Sequence, residues 1–364
     1  MGNYWDYLRL DELLTLQAGF DGEDDVASAD ELQFIVVHQV YELWFKLILR
    51  SMRLARDRLA LPSVSEETIP YVVHHLRRVS TILDLAVDHW RVVETLTPQD
   101  FMSFRDKLTP SSGFQSFQLR EIEILMGLDE SERFSYGSVR PIQHIQELGK
   151  GSRSGEFAAA RVEAARQEQS FLSAMNDWLY RTPIQGSTPD HADDDAVVRA
   201  WLDAYLAEAN RSAQSVLERL VVALGERVRP DLAARTQGTA EAARAFLFAE
   251  DAPEADRNRV LRVRAAALFI ESYRDLPLLA WPRLLLDMVV EMEEGLLLFR
   301  NRHARAVERM IGRRMGTGGS GGVEYLDRTL SYRVFKDLWA LRTVILPKDK
   351  LPPLRHPERY GFAV

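Results

Sequence analysis

The chain has 364 residues, 46% of them hydrophobic and 27% charged, with a formal net charge of −8 and no cysteine. That balance supports a buried core in one large domain, or one domain carrying an inserted lobe, and excludes a disordered chain. The acidic charge, with no block of Lys and Arg, argues against a nucleic-acid partner, and the missing thiols exclude disulfides, iron–sulfur clusters and thiolate-ligated or CxxCH-attached haem.

The opening MGNYWDYLRLDELL is acidic and amphipathic, without the basic-then-apolar order of a signal peptide. No apolar run is expected to reach the roughly 20 residues of a spanning helix, so the reading is a cytoplasmic protein with no membrane partner. Helical periodicity dominates from there on and predicts an all-α fold. A short helix is expected over 4–18, then the polar linker GFDGEDDVASAD, then a long helix from about Asp30 with Ser28 or Asp30 capping its first turn. On that helix Phe34, Val37, His38, Tyr41, Phe45 and Ile48 recur at three- and four-residue steps and share a face. Another helix is expected over about 66–96, a loop over 109–116 (TPSSGFQS), and a helix resuming at Phe117.

Between about 129 and 260 the composition shifts to charged, alanine-rich helices separated by TPIQGSTPDHADDD and AEDAPEAD, which reads as an accessory helical lobe. A final pair of long helices is expected to frame the glycine run 316–322, the first carrying Leu285, Met288, Met292, Leu296, Phe299, His303, Val307 and Met310, before an extended tail, PKDKLPPLRHPERY. The expected division is 1–128, 129–262 and 263–364: one domain whose middle segment is an insertion. No strand–glycine–helix unit suggests a dinucleotide fold.

His38 and His303 each stand on an apolar stripe. A histidine so placed is either a satisfied core residue or one side of a grip on a prosthetic group. Arg300, Arg302, Arg305 and Arg309 flank His303 and are either the wet side of the helix or partners for two propionates. Arg105, among Phe101, Met102 and Phe104, is either a surface arginine paired with Asp106 or a bidentate clamp for a carboxylate. The glycine run lacks the GK[ST] ending of a phosphate loop; it is either a flexible linker or a place where backbone amides and the Thr317 hydroxyl approach a small ligand closely. Neither HExxH nor GxSxG occurs, so zinc and serine-hydrolase chemistry have no motif here.

Six blocks, in order along nearly the whole chain, carry a resemblance: YWDYLRLDELL, DELQFIVVHQVYELWFK, ETLTPQDFMSFRDKLTPSSGFQS, RNRHARAVERMIG, GTGGSGGVEYL and VFKDLWALRTVILPKDKLPP. The chain resembles the tryptophan 2,3-dioxygenase family, all-helical, haem-dependent and normally homotetrameric. The resemblance implies haem b held by His303 as the proximal iron ligand, with Ser112 and Gly113 beside the haem. It implies His38 as the distal catalytic residue near the indole N–H, Phe34 and Phe101 as pocket walls, Arg105 as the carboxylate clamp, and Thr317 at the ammonium and carboxylate. Tyr4 and Tyr7 match aromatics donated to a neighbouring subunit's pocket, so the partners implied are L-tryptophan and a homotetramer with exchanged N-terminal arms.

The reaction implied inserts both atoms of O2, the co-substrate, across the indole C2–C3 bond to give N-formylkynurenine. The middle lobe matches poorly apart from DWLYRTP, and its length resembles the animal enzymes more than the short bacterial ones. Ala29 stands where the family usually has His, Phe299 and Asn301 replace aromatics near His303, and Gly321 replaces a serine. Those departures motivate one alternative, a haem monooxygenase of a substituted indole or tryptophan; the long amphipathic helices are also compatible with a second, a non-enzymatic haem carrier or scaffold.

Overall fold

Periodic sequence becomes continuous helix where an apolar face is covered, and the N-terminal segment shows what happens otherwise. The computed structural model describes residues 2–20, 22, 27–135, 140–317 and 321–361. The helix expected over 4–18 is instead two short ones, α1 (Tyr4–Leu8) and α2 (Leu10–Leu13), joined at Arg9, whose φ of 52° is left-handed. Neither buries a residue, so no packing offsets the cost of helix nucleation.

Beyond the linker the helices are long and capped. Ser28 Oγ accepts from the Glu31 N–H at 3.1 Å and opens α3 (Ala29–Leu59), with Asp30 and Glu31 favourably placed in its first turn. Then come α4 (Thr68–Val93) and α5 (Pro98–Phe104), the latter started by Thr97, whose hydroxyl accepts from Asp100 N–H, and by Pro98 at the first position. Ser116 caps α6 (Phe117–Met126), which stops at Gly127 with φ 115°. The remaining helices are α7 (Pro141–Leu148), α8 (Arg153–Arg166), α9 (Phe171–Arg181), α10 (Asp194–Leu224), α11 (Arg229–Leu247), α12 (Arg257–Ser272), α13 (Ala280–Ile311), α14 (Val323–Thr329) and α15 (Lys336–Leu341). Among the described residues extended pairing is limited to one isolated bridge, Ile184 with Ser187. The fold is all-α.

The expected final pair of long helices is corrected: α13 is long, but the glycine run leads only into the short α14 and α15. α14 buries Val323, Tyr325 and Leu326, and between α14 and α15 the Glu293 carboxylate accepts from the Val334 N–H.

Two compact units emerge, one from Met1–Leu54, His75–Phe171 and Glu291–Val334, the other from Ala55–His74, Leu172–Val290 and Phe335–Val364. The segments 1–128, 129–262 and 263–364 each contribute to both. In the second unit α10 packs on α11, and buried arginines tie segments together: Arg264 bridges Asp251 (2.6 Å) and Asp337 (2.9 Å), while Arg262 donates to the Tyr180 and Thr182 carbonyls.

The core of the first unit comes from the facing stripes of α3 (Val37, Tyr41, Phe45, Ile48), α4 (Val79, Leu83, Ala86, Trp90) and α13 (Met292, Leu296, Phe299), all buried. Each large side chain so covered contributes about 1.5–3 kcal/mol. α3 is long and apolar enough to pass for a membrane-crossing helix, which corrects the expectation that no run nears that length; its inner face is nonetheless part of this core. α4 and α13 approach closely at Gly295, where a Cβ would lie 3.1 Å from that of Leu83. At one end, Glu123 of α6 sits in the interior and takes Arg120 (2.9 Å), Arg300 of α13 (2.8 Å) and Arg133.

Candidate active site

The first unit contains a cavity that is partly open to solvent and lined mostly by apolar and aromatic side chains with a few polar groups, the make-up of small-molecule and cofactor sites. α3 supplies Phe34 and His38, α4 supplies Trp90, and α5 with its flanking turns supplies Phe101, Arg105, Ser112 and Gly113. α13 supplies His303, Ala306, Val307 and Met310, and the glycine run supplies Gly316 and Thr317. Eight of the ten residues singled out from sequence therefore share one cavity. Tyr4 and Tyr7 do not line it; they are 70% and 87% exposed.

His38 Nδ1 lies 2.7 Å from the Phe34 carbonyl oxygen. A carbonyl only accepts, so the proton sits on Nδ1 and Nε2 keeps its lone pair. Burial pushes the His38 pKa down, against the opposing pull of that hydrogen bond, with His89 lowering it further. Phe34 lies 4.0 Å from the His38 ring and 5.8 Å from Phe101, forming an aromatic wall.

His303 is pushed down to about 4, first by burial, then by His38 and Arg120, so near neutrality it is an uncharged imidazole with a lone pair to give. Trp90 stacks on it at 4.8 Å, with planes 10° apart. Among the described residues no three His, Asp or Glu side chains cluster as a metal-ligand set; what the site offers a metal is a neutral imidazole from each of His38 and His303, in an apolar hollow. At Gly113 an added Cβ would meet nothing within 4 Å, so that wall stays open to close approach. Imidazole donors, apolar walls and the open glycine would suit a flat, largely apolar macrocycle such as a haem.

Arg105 is the one cation lining the cavity among the described residues. Its Nη2 donates to the Met315 carbonyl at 2.5 Å, and its Nε is buried without a hydrogen-bond partner among those residues. Thr317 Oγ1 donates to the Ser111 carbonyl at 2.6 Å, so both polar side chains tether the front of the glycine run. Ser112 Oγ accepts from Phe114 N–H at 3.4 Å, leaving its own proton to donate.

At the far end of the run Gly322 has φ 60° and ψ −123°, and a Cβ there would sit 2.8 Å from the Arg314 carbonyl oxygen. Gly322→Ala is expected to strain this neck by about 1–3 kcal/mol and to make the loop cleavable at protease concentrations the parent chain survives. Equal resistance would show that the neck tolerates a side chain. Gly318, Gly319 and Ser320 lie outside the described residues.

The profile of the tryptophan 2,3-dioxygenase family matches residues 1–345. The chain belongs to the tryptophan 2,3-dioxygenase family. It is 47% identical over 372 residues to tryptophan 2,3-dioxygenase of Sorangium cellulosum, covering 100% of this chain and 88% of that protein. It is 47% identical over 371 residues to tryptophan 2,3-dioxygenase 2 of Ralstonia nicotianae, covering 99% and 98%. With tryptophan 2,3-dioxygenase of Bdellovibrio bacteriovorus it shares 33% over 362 residues, covering 97% and 95%. These bacterial proteins extend across the middle stretch.

In this member of the tryptophan 2,3-dioxygenase family the arginines around His303 do not face the cavity. Arg300 is spent on Glu123, Arg302 and Arg309 on Glu94, and Arg305 on Asp327 and Glu308. None of the four is among the residues that line the cavity. Trp90 is among the cavity residues that sequence reasoning missed, as are Leu96, Phe114 and Leu326; the signal for Trp90 was the apolar spacing Ala86, Trp90, Val93 along α4.

A second, broader hollow opens beside the first. It is lined by Leu13, Leu14 and Leu16 and by Leu32, Val36 and Leu43 of α3, and it shares Phe34, His38 and Thr317.

Proposed function

We propose that the chain binds haem b through His303 and, with O2 as co-substrate, opens the indole ring of L-tryptophan at C2–C3 to give N-formylkynurenine. The observation that carries this reading is one cavity lined by two neutral imidazoles, one of fixed tautomer, and by a single guanidinium, in a member of this family. When bound, haem supplies the activation of O2 at iron.

The chain's own residues do the rest. His38 Nε2 accepts the indole N–H and orients the ring. Phe34 and Phe101 form the wall against it and exclude water. Arg105 takes the carboxylate. Thr317, whose proton is given to Ser111, keeps oxygen lone pairs for the ammonium, and Ser112 and Gly113 stand beside the haem.

The same proposal extends to the assembly, a homotetramer with exchanged arms. Support comes from the N-terminal segment, where Tyr4, Trp5 and Tyr7 of α1 and, after α2, Leu14 and Leu16 are exposed, and from the exposed row Leu32, Val36, Leu43 and Leu47 on α3. A neighbouring copy's Tyr4 and Tyr7 laid in the broad hollow would complete the substrate wall. We place the enzyme in the cytoplasm, with 129–262 as an accessory lobe.

The test is mass analysis of products from hemin-loaded, reduced protein given O2 and tryptophan. A gain of two oxygen atoms is expected. A gain of one moves the chain to the monooxygenase alternative, and coloured protein with no turnover of any indole to the carrier. Arg105→Ala is expected to leave the haem absorption unchanged and to raise KM for tryptophan about 10–100-fold, the worth of a charged hydrogen bond. Loss of haem in that variant would dissolve the division of roles between Arg105 and His303.

A further inference from the structure

Two buried polar atoms at the end of α4 have no hydrogen-bond partner among the described residues: Nε1 of Trp90, a donor, and Oε1 of Glu94, an acceptor. Four residues apart, they lie on one side of the last helical turn. That side meets α13 at its functional residue. Trp90 stacks on His303, and the other Glu94 oxygen takes Arg302, next in sequence to His303, at 2.7 Å and Arg309 at 3.4 Å. The Glu94 side chain is 11% exposed, so its charge acts at low screening.

A metal-ligating imidazole ordinarily has its second N–H held by a carboxylate, carbonyl or water, which fixes the ring and sets its basicity. No described residue hydrogen-bonds either ring nitrogen of His303. We propose that the end of α4 takes over both tasks: Trp90 fixes the plane of the His303 ring by stacking, and Glu94 sets its basicity through one bound water. That water accepts from Trp90 Nε1–H and from the second N–H of His303 and donates to Glu94 Oε1. Three partners are typical of a buried water, and this arrangement satisfies both orphaned atoms. Trp90 and Glu94 are positioning residues, and the inference rests on His303 being the haem ligand.

The test loads wild-type protein and four variants with hemin and measures the ferric/ferrous midpoint and the hemin release rate. Glu94→Gln removes a negative charge and is expected to shift the equilibrium about tenfold toward ferrous, 59 mV for one electron. Arg302→Gln, which leaves Glu94 unneutralised, is expected to move it the opposite way, whereas a merely structural pair would not produce opposite signs. Trp90→Phe keeps a ring and loses the N–H; it should shift the midpoint in the direction of Glu94→Gln with little change in release. Trp90→Leu should release hemin about tenfold faster.

Midpoints unchanged, or shifted the same way by Glu94→Gln and Arg302→Gln, overturn the inference, as does wild-type hemin retention in Trp90→Leu. Wild-type protein that stays colourless overturns the haem reading as well, whereas coloured wild type with unaltered variants overturns this inference alone.

Discussion

His303→Ala should yield protein that folds and stays colourless when hemin is supplied. The cavity offers one imidazole at that wall, and its other lining side chains there, Ala306, Val307, Met310 and Ile311, carry no ligating nitrogen. Apolar contact alone leaves a macrocycle free to slide and dissociate, so the expected outcome is loss of a stable Soret band rather than a modest weakening. Far-ultraviolet circular dichroism should be unchanged, because α13 is held by its buried stripe and not by this ring. A variant that retains haem with a five-coordinate histidine spectrum would place the ligand elsewhere.

Glu123→Gln should be the most damaging substitution outside the cavity. Three guanidiniums converge on this carboxylate, with side-chain exposures of 6% for Arg120, 1% for Arg133 and 10% for Arg300. Removing one partner of a buried ionic cluster typically costs about 3–5 kcal/mol, because the charges left behind are uncompensated. Urea denaturation should show a loss of that size.

The pH dependence arises from the same cluster. Burial alone would raise the Glu123 pKa, but the three arginines overcome it and hold it at about 2, against an ordinary value of 4.5. A folded-state value below the unfolded one means that the contribution is fully present above 4.5 and is lost as pH falls from there through about 2. Wild type should therefore lose stability over that window, and Glu123→Gln should lose less of it. Matching acid-unfolding curves would show that the carboxylate is not what titrates.

The helical architecture was legible because its signals are local: Ser28 opens α3, Thr97 and Pro98 open α5, and the stripe of α13 repeats for its whole length. The site was legible mainly through its six motif blocks. On periodicity alone His38 and His303 read as core residues, since an imidazole facing a hollow and one facing packed side chains leave the same pattern. Long-range ionic partners were not legible, unlike the i,i+3 pairs Arg120–Glu123 and Arg305–Glu308. Arg300 and Glu123 are 177 residues apart, and Arg302 and Glu94 are 208 apart, so nothing near the arginines in sequence shows where their charge is answered. The N-terminal helix was overdrawn for a related reason, because amphipathic spacing shows which face would bury but not whether anything covers it.

The close approach of Gly295 to Leu83 also works as a ruler. Eight residues on from Gly295 along α13 is His303, and seven residues on from Leu83 along α4 is Trp90. At 1.5 Å per residue the two contacts stand roughly 10.5 Å apart along α4 and about 12 Å apart along α13, so the glycine notch gauges how nearly the indole lies over the imidazole. A methyl group at 295 would gain helix propensity of about 1 kcal/mol and wedge the two rods apart by a few tenths of an ångström, degrading the parallel alignment of those rings without touching either one.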